Sequence, residues 1–377
     1  MRILLSFFFL LAASVVGAQY TARFVVSSVA TRPNEDIYIS GNFNNWNPRD
    51  EQYKLKPFGG NRKSIVIRDI PAGNYAFKFT RGSIDKMECA PDGRDIADRM
   101  VEVNGDVSNE YQIAGWKDDY PERPKKYTAS PRVRILDTAF RIPQLGRTRR
   151  IWIYLPKNYA SVGKAYPVIY MQDGQHLFNE QTAASGEWGV DECLDTLQAR
   201  LGKECIVVGI DHGGERKMNE YSPYDHFKFG KGEGKQYADF IANTLKPYID
   251  AHYRTRKGPD YTFIAGSGMG GLISWYAVMQ YPDVFGGAGV FSPNFLLSPQ
   301  SFVEAEQFST TQLPKFYFYA GEQEEMGMVA NMKRMVGILQ KKPKFIIRTV
   351  VNPLGQHNET YWRRAFADFY QWLAQYW

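Results

Sequence analysis

The sequence predicts an α/β protein whose parallel sheet is covered by helices on both faces, preceded by a smaller β-sandwich. After Arg132, short continuous apolar runs alternate with helical patterns, as buried parallel strands and their connecting helices do. Before Trp116, short strand-like runs are separated by Pro, Gly and Asn, which is typical of a small sandwich. The chain of 377 residues is long enough for both domains.

Each element is predicted from its own apolar pattern and its flanking turn residues. The N-terminal strands are 22–27, 36–40, 63–67, 75–80 and 101–103. The later strands are 167–171, 205–210, 261–265, 288–291, 315–319 and 345–350, and the helices are 191–201, 237–253, 270–280, 329–339 and 361–376. Because 117–126 is charged, contains proline and lacks periodicity, we expect a sandwich over 19–116, a linker over 117–132 and the α/β domain over 133–377.

The first 18 residues are predicted to be a secretory signal peptide. Arg2 is followed by the apolar residues 3–15 and by Val-Gly-Ala at 16–18, so the mature chain begins at Gln19. We therefore expect a secreted or periplasmic protein. No later apolar stretch reaches the roughly 18 residues of a membrane span. The net charge of +6 is spread along the chain, so neither a membrane nor a nucleic-acid partner is expected.

Cysteine usage indicates neither a disulfide framework nor a metal site. Three cysteines are present, Cys89, Cys193 and Cys205, and buried free thiols are the favoured interpretation. Pairing of Cys193 with Cys205 in an oxidising compartment is the alternative. No His and Cys cluster has metal-ligand spacing, so no metal is expected, and no cofactor is implied.

Residues 261–271, Tyr-Thr-Phe-Ile-Ala-Gly-Ser-Gly-Met-Gly-Gly, form a strand that runs into a glycine-rich turn and then a helix. In α/β-hydrolases such a turn carries Gly-x-Ser-x-Gly, and its strain projects the serine hydroxyl above the sheet. The flanking glycines, Gly266 and Gly270, are in place here. The nucleophile position between them is Gly268.

At this motif the chain resembles the putative-esterase family, which includes feruloyl, acetyl-xylan and siderophore esterases. Those proteins usually read Gly-Ser-Ser-Met-Gly-Gly at the turn. The resemblance extends from about Asp137 to Trp377, with further motifs at 149–156, 166–175, 207–211, 237–255 and 355–362. It implies an α/β-hydrolase domain whose reaction is serine-type hydrolysis of carboxylic esters.

The resemblance also implies the other members of a catalytic triad. His357 lies after the last predicted strand and before the final helix, where the family's histidine lies. Glu324 follows the strand 315–319 at the spacing of the family's acid, with Glu322 and Glu325 as alternatives. The order of nucleophile, acid and histidine is the one that the fold requires.

Two backbone N–H groups should form an oxyanion hole. The residue after the nucleophile position supplies the first, which is the N–H of Met269. The second is expected from the loop after the third strand, at Gly174 or Gln175. Because these donors belong to the backbone, a glycine at position 268 does not remove them.

Glycine at position 268 removes the hydroxyl that acyl transfer requires. We therefore expect a pseudo-esterase that binds an esterified glycan or a small aryl or acyl ester without useful turnover. The alternatives are an active esterase that uses Ser267 or a water activated by His357, and a noncatalytic glycan-binding protein. The high aromatic content, 15%, suits sugar or aryl ligands.

The N-terminal domain resembles the glycogen- and starch-binding modules, which are immunoglobulin-like β-sandwiches. The resemblance is carried by 39–46, Ile-Ser-Gly-Asn-Phe-Asn-Asn-Trp, and by 71–79. It implies that Trp46 and Lys78 contact sugar. The third sugar-contact position is Ile84, which offers no aromatic face. A purely structural sandwich is therefore an equal alternative.

Overall fold

A computed structural model describes residues 19–44, 46–121, 124–227 and 229–377. The predicted signal peptide lies outside the described residues. The chain divides into two compact units, Met1–Glu122 and Arg123–Trp377. Within the described ranges, no helix combines the length and the apolar character needed to cross a membrane.

The first unit is a β-sandwich of a four-stranded and a three-stranded sheet. The strand orders are β3-β4-β1-β7 and β2-β5-β6, and β1 and β7 are parallel neighbours while the other pairs are antiparallel. Phe24 and Phe77, one from each sheet, pack edge to face with ring centroids 5.0 Å apart in the shared core. The strands are β1 (Gln19–Val29), β2 (Tyr38–Gly41), β3 (Lys56–Pro57), β4 (Lys63–Pro71), β5 (Gly73–Thr80), β6 (Arg99–Val103) and β7 (Val107–Ile113).

The second unit is built on an eight-stranded sheet of order β15-β14-β13-β12-β10-β11-β9-β8. Strands β10 to β15 are parallel, as the sequence predicts. Two further strands, β8 and β9, join the edge of the sheet as an antiparallel hairpin. The strands are β8 (Val133–Ile142), β9 (Arg147–Tyr154), β10 (Val168–Gln172), β11 (Ile206–Ile210), β12 (Thr262–Ser267), β13 (Gly287–Phe291), β14 (Lys315–Gly321) and β15 (Ile346–Asn352).

Helices cover both faces of this sheet. Successive residues of a strand point to opposite faces, and Phe263 and Ile264 accordingly belong to two different apolar clusters. Phe263 shares a cluster with residues of α1 and α8, whereas Ile264 shares one with residues of α3, α4, α5 and α7. The helices are α1 (Val190–Leu201), α2 (Lys217–Glu220), α3 (Gly234–Phe240), α4 (Lys246–His252), α5 (Met269–Gln280), α6 (Gln300–Gln307), α7 (Met328–Leu339) and α8 (Glu359–Leu373). The predicted α/β class with an N-terminal β-sandwich is confirmed.

Both ends of the segment expected to be a linker are held by their own unit. Residues Lys117–Asp119 form a single helical turn, and Asp119 pairs with Arg32 at 2.5 Å. In the second unit, Lys125 donates from Nζ to the carbonyl of Ala183 at 2.6 Å. The division between the units falls inside the segment 117–132.

All three cysteines are free thiols. Cys89 and Cys205 are buried, and Cys193 is partly buried. Burial raises the pKa of the Cys193 thiol to about 12, so it is an unreactive thiol at neutral pH.

Candidate active site

The candidate site begins at the turn between β12 and α5. Gly268 has φ 56° and ψ −119°, a backbone conformation that favours glycine. Its N–H donates to the carbonyl of Phe291 at 3.0 Å, which ties the turn to the neighbouring strand β13. A Cβ on Gly266 would lie 2.7 Å from the backbone of Gly270, so strand and helix approach too closely for a larger residue there. The turn therefore has the geometry of a nucleophile elbow.

Position 268 faces the imidazole of His357. A Cβ built on Gly268 would lie 3.3 Å from His357 Nε2 and 3.6 Å from Asn294 Nδ2. A hydroxyl on that carbon would be within reach of Nε2, the atom that has to accept its proton in acyl transfer. The structure thus brings together Gly268 and His357, which lie 89 positions apart in the sequence.

Two carboxylates hold the other nitrogen of His357. Nδ1 lies 3.0 Å from Glu324 Oε2 and 3.3 Å from Glu325 Oε2. Glu324 is buried, and its second oxygen accepts from the N–H of Gly321 at 2.6 Å. Glu322 is exposed to solvent. Glu324 therefore has the geometry of a triad acid, with Glu325 as a second partner of the same nitrogen.

Ser292 and Trp362 support this acid and are not indicated by the sequence analysis. Ser292 donates from Oγ to Glu324 Oε1 at 2.7 Å, and Trp362 donates from Nε1 to the same hydroxyl at 2.8 Å. The Trp362 ring also packs edge to face on His357, with centroids 4.9 Å apart. The only sequence signal for Ser292 is its place directly after a buried strand, before Pro293.

The two carboxylates change the protonation of His357. Burial lowers the pKa of His357, but the charges and hydrogen bonds of Glu325 and Glu324 outweigh it and raise that pKa to about 10. Burial likewise opposes ionisation of Glu325, and the positive charge of His357 outweighs it, so the pKa of Glu325 is lowered. The imidazole is therefore protonated at neutral pH, where it donates hydrogen bonds and accepts no proton.

A cavity of about 390 Å³ opens beside Gly268. Lys217 contributes a cation, and its Nζ lies 2.9 Å from Asp173 Oδ1. His176 contacts Glu359 across the cavity lining, with Nδ1 and Oε1 3.2 Å apart. The lining residues are Asp173, His176, Ser185, Trp188, Lys217, Met218, Ser267, Gly268, Met269, Asn294, His357, Glu359 and Trp362. Most come from loops, which sequence patterns do not place in space.

Of the predicted oxyanion donors, one lines the cavity and the others do not. Met269 lines the cavity and is the first residue of α5, so its N–H has no partner within the helix. Gly174 and Gln175 belong to the turn after β10, but they are not among the residues that line the cavity. The second donor therefore stays a prediction.

One of the two residues predicted to contact sugar in the first unit is already paired with another side chain. Lys78 pairs with Asp98 at 3.1 Å, and its side chain is 15% exposed. Trp46 is half-buried and has a positive φ of 55°. Ile84 is 67% exposed.

Two groups of side chains among the described residues bring their ligand atoms close enough to share a cation. The first is Glu324, Glu325 and His357, in which the imidazole already neutralises the carboxylates. The second is Glu187, Asp191 and Glu192, near the start of α1.

A parallel sheet that carries an elbow after one strand, and a histidine and its acid after later strands, defines an α/β-hydrolase. Within that class the chain belongs to the putative-esterase family, since the family model described as Putative esterase matches residues 142–373. The predicted resemblance is confirmed for the hydrolase unit.

Two curated proteins are similar to part of the chain. The chain is 29% identical over 153 residues to the protein YbbA of Bacillus subtilis, covering 39% of this chain and 57% of that protein. It thus spans little more than half the length of this curated relative. It is 27% identical over 158 residues to an endo-1,4-beta-xylanase/feruloyl esterase of Xylanibacter ruminicola, covering 39% of this chain and 20% of that protein.

The enterobactin esterase of Shigella flexneri has a similar fold. Its structure in the presence of enterobactin matches with a TM-score of 0.53 at 17% identity. The match covers 91% of this chain and 89% of that one. At this identity the likeness shows the fold alone.

Proposed function

We propose that this protein binds a carboxylic ester in the cavity beside Gly268 and turns it over slowly or not at all. The observation that carries the proposal is the 3.3 Å distance between His357 Nε2 and the Cβ position of residue 268. Acid, histidine and one backbone donor lie around a turn that has no hydroxyl at the nucleophile position. Without that hydroxyl no acyl-enzyme forms at position 268.

The protonation of His357 supports slow turnover. A water in place of the serine would need a neutral imidazole as its base, and the pKa of about 10 leaves little of that form at neutral pH. The protonated ring and Lys217 instead offer N–H donors to the cavity, with their charges paired to neighbouring carboxylates. Such donors suit the carbonyl and oxyanion oxygens of an ester or of its acid product.

Two substrate classes are supported by different relatives. One curated relative is a feruloyl esterase by name, and a protein of similar fold is an enterobactin esterase. A feruloyl ester is an ester of an aromatic acid, and Trp188 and Trp362 offer aromatic surface in the cavity. We propose an aryl ester as the ligand, with an acetylated glycan as the second candidate.

The test compares binding with turnover. Purified protein is titrated with methyl ferulate and with enterobactin, and hydrolysis is followed beside Gly268→Ser. We expect saturable binding by the wild type and hydrolysis that exceeds the uncatalysed rate by no more than about 10⁴. Wild-type turnover equal to that of the serine variant would refute the proposal.

Residual hydrolysis through Ser267 is the alternative, since Ser267 also lines the cavity. A fluorophosphonate probe separates the two mechanisms. Labelling of the wild type that is lost in Ser267→Ala would favour this alternative. We expect no labelling of the wild type and labelling of Gly268→Ser.

For the first unit we propose weak glycan binding, the function implied by its module resemblance. The pairing of Lys78 with Asp98 counts against it, because that ammonium group is already engaged. Retention on insoluble starch or xylan that is lost in Trp46→Ala would support binding. No retention of the wild type would leave a structural role.

We also propose that the protein is secreted or periplasmic. The proposal is supported by the composition of residues 1–18, with one arginine followed by an apolar stretch and small residues. N-terminal sequencing of the natural protein should begin at Gln19. A mature protein that still begins at Met1 would contradict it.

A further inference from the structure

The second carboxylate group, Glu187, Asp191 and Glu192, lies where the loop before α1 enters that helix. One oxygen from each of the three side chains lies within 4.8 Å of the others. Asp191 is fully buried. Buried carboxylates are normally paired, because moving an unpaired charge out of water is costly.

The orientation of these side chains is fixed from outside the group. Thr128 donates from Oγ1 to Glu187 Oε2 at 2.9 Å, and the N–H of Ser130 donates to Asp191 Oδ2 at 2.6 Å. The other oxygens, Glu187 Oε1 and Asp191 Oδ1, are buried and have no hydrogen-bond partner among the described residues. Glu187 and Asp191 are therefore each anchored by one oxygen, and the other oxygen of each has no hydrogen-bond donor.

The charges of the group are not balanced by the protein. Glu192 Oε2 is also buried without a hydrogen-bond partner in the described chain, and the nearest cation that it meets is Arg363, at 3.8 Å. At that distance Arg363 makes no hydrogen bond to the group, so these buried carboxylate oxygens stay unpaired.

We propose that Glu187, Asp191 and Glu192 bind a calcium ion. Only oxygen atoms are offered, which selects a hard cation. Mg²⁺ is usually held by one or two carboxylates in near-ideal octahedral geometry, whereas Ca²⁺ accepts more oxygen ligands in an irregular arrangement. Three carboxylates from a loop and a helix start therefore favour calcium. The Glu192 side chain is 40% exposed, which gives the ion a path from solvent and leaves room for water ligands.

A calcium ion here would stabilise one wall of the ester cavity. Glu187 precedes Trp188, which lines the cavity and packs against Trp362 with ring centroids 5.7 Å apart. Gly186 lies against Glu359, another lining residue. The ion would thus hold the loop that carries Ser185 and Trp188.

The test measures thermal unfolding of the full chain in EDTA and in calcium, with calcium binding measured by calorimetry. We expect calcium at about 100 times its Kd to raise Tm by about 5–10 °C. Magnesium at the same concentration should raise it much less. A wild type that shows neither a Tm change nor binding heat with calcium would overturn the proposal, and so would an equal response to magnesium.

Asp191→Asn locates the site without changing side-chain shape. In EDTA this variant should melt at or above the wild-type temperature, because it removes a repelled buried charge. Its calcium response should be lost. Glu192→Gln, at the exposed edge, should weaken calcium binding at least tenfold if the first variant folds poorly.

The matched control is Glu306→Gln, an exposed carboxylate on α6, which should keep the full calcium response. The competing explanation is that the acidic residues only stabilise the N-terminus of α1. In that case Asp191→Asn would lower Tm equally with and without calcium. That result would refute the calcium site.

Discussion

Gly268→Ser returns a hydroxyl to the elbow, and its effect can be worked out from the turn itself. The Cβ would lie 3.3 Å from His357 Nε2, a tight contact that the ring relieves by moving a few tenths of an ångström. The cost is conformational, since φ of 56° with ψ of −119° is unfavourable for any residue with a Cβ. We expect a loss of about 1–3 kcal/mol of stability. The corresponding fall in Tm is about 2–10 °C.

The gain in activity is set by the nucleophile and by the protonation of its base. A nucleophile is worth about 10⁶ in kcat in serine hydrolases of this kind. At pH 7 only about 10⁻³ of an imidazole with a pKa of about 10 is neutral. We therefore expect Gly268→Ser to exceed the wild type by about 10³ at pH 7, and its own rate to rise about tenfold per pH unit toward pH 10.

Hydrolysis of methyl ferulate is followed from pH 6 to pH 10, with Gly268→Ala as the matched control. Alanine carries the same Cβ and the same strain but no hydroxyl, so both variants should show the same fall in Tm. Only the serine variant should gain activity. Equal rates for two folded variants at pH 9 would refute the pairing of position 268 with His357.

Three further predictions concern the groups around the imidazole. In Gly268→Ser, adding Glu325→Gln removes a charge that raises the pKa of His357, so the rise in rate should occur at lower pH. The pKa of His357 is raised on folding, so protonation of this residue contributes fully to stability below pH 6.5, and the contribution is lost as pH rises toward about 10. In a profile of Tm against pH, His357→Gln should therefore flatten the range from pH 6.5 to about 10. Ser292→Ala leaves the buried Trp362 Nε1 without a partner and leaves Glu324 Oε1 with the N–H of Gly321 alone, which should cost about 1–3 kcal/mol in urea unfolding. An unshifted pH–rate profile would contradict the first prediction, and an unflattened Tm profile would contradict the second. An unchanged urea midpoint would contradict the third.

The sequence predicts the six parallel strands well because each is a short, continuous apolar run. It does not indicate the hairpin of β8 and β9, where register shifts at Asp137 break the alternation of buried and exposed residues. Nor does it indicate that the predicted helix 237–253 is divided by a π-helical turn at Ile241–Leu245. Pro247 lacks the N–H that would bond the carbonyl of Asn243, which favours such a wider turn.

The sequence indicates these site residues because each lies in, or at a fixed distance from, a local motif. Gly268 and His357 lie in short segments with family-like neighbours, and Glu324 lies at a fixed distance from a strand end. The supporting residues had no such signal. Ser292 acts on Glu324, 32 positions away, and Trp188 packs on Trp362 near the end of the chain. Long-range contacts of that kind follow from the fold and not from a local pattern.

The glycine at the elbow also determines how the cavity responds to its ligand over time. An enzyme consumes its substrate, so its occupancy depends on the balance of supply and turnover. Glycine has no side-chain atom that could carry an acyl group from the ligand to water. Under the proposed function a bound ester leaves chemically unchanged, and occupancy follows the free ligand concentration as an equilibrium. Such a protein reports or buffers the amount of an ester around it, and residence time takes the place of catalytic rate as the property that matters.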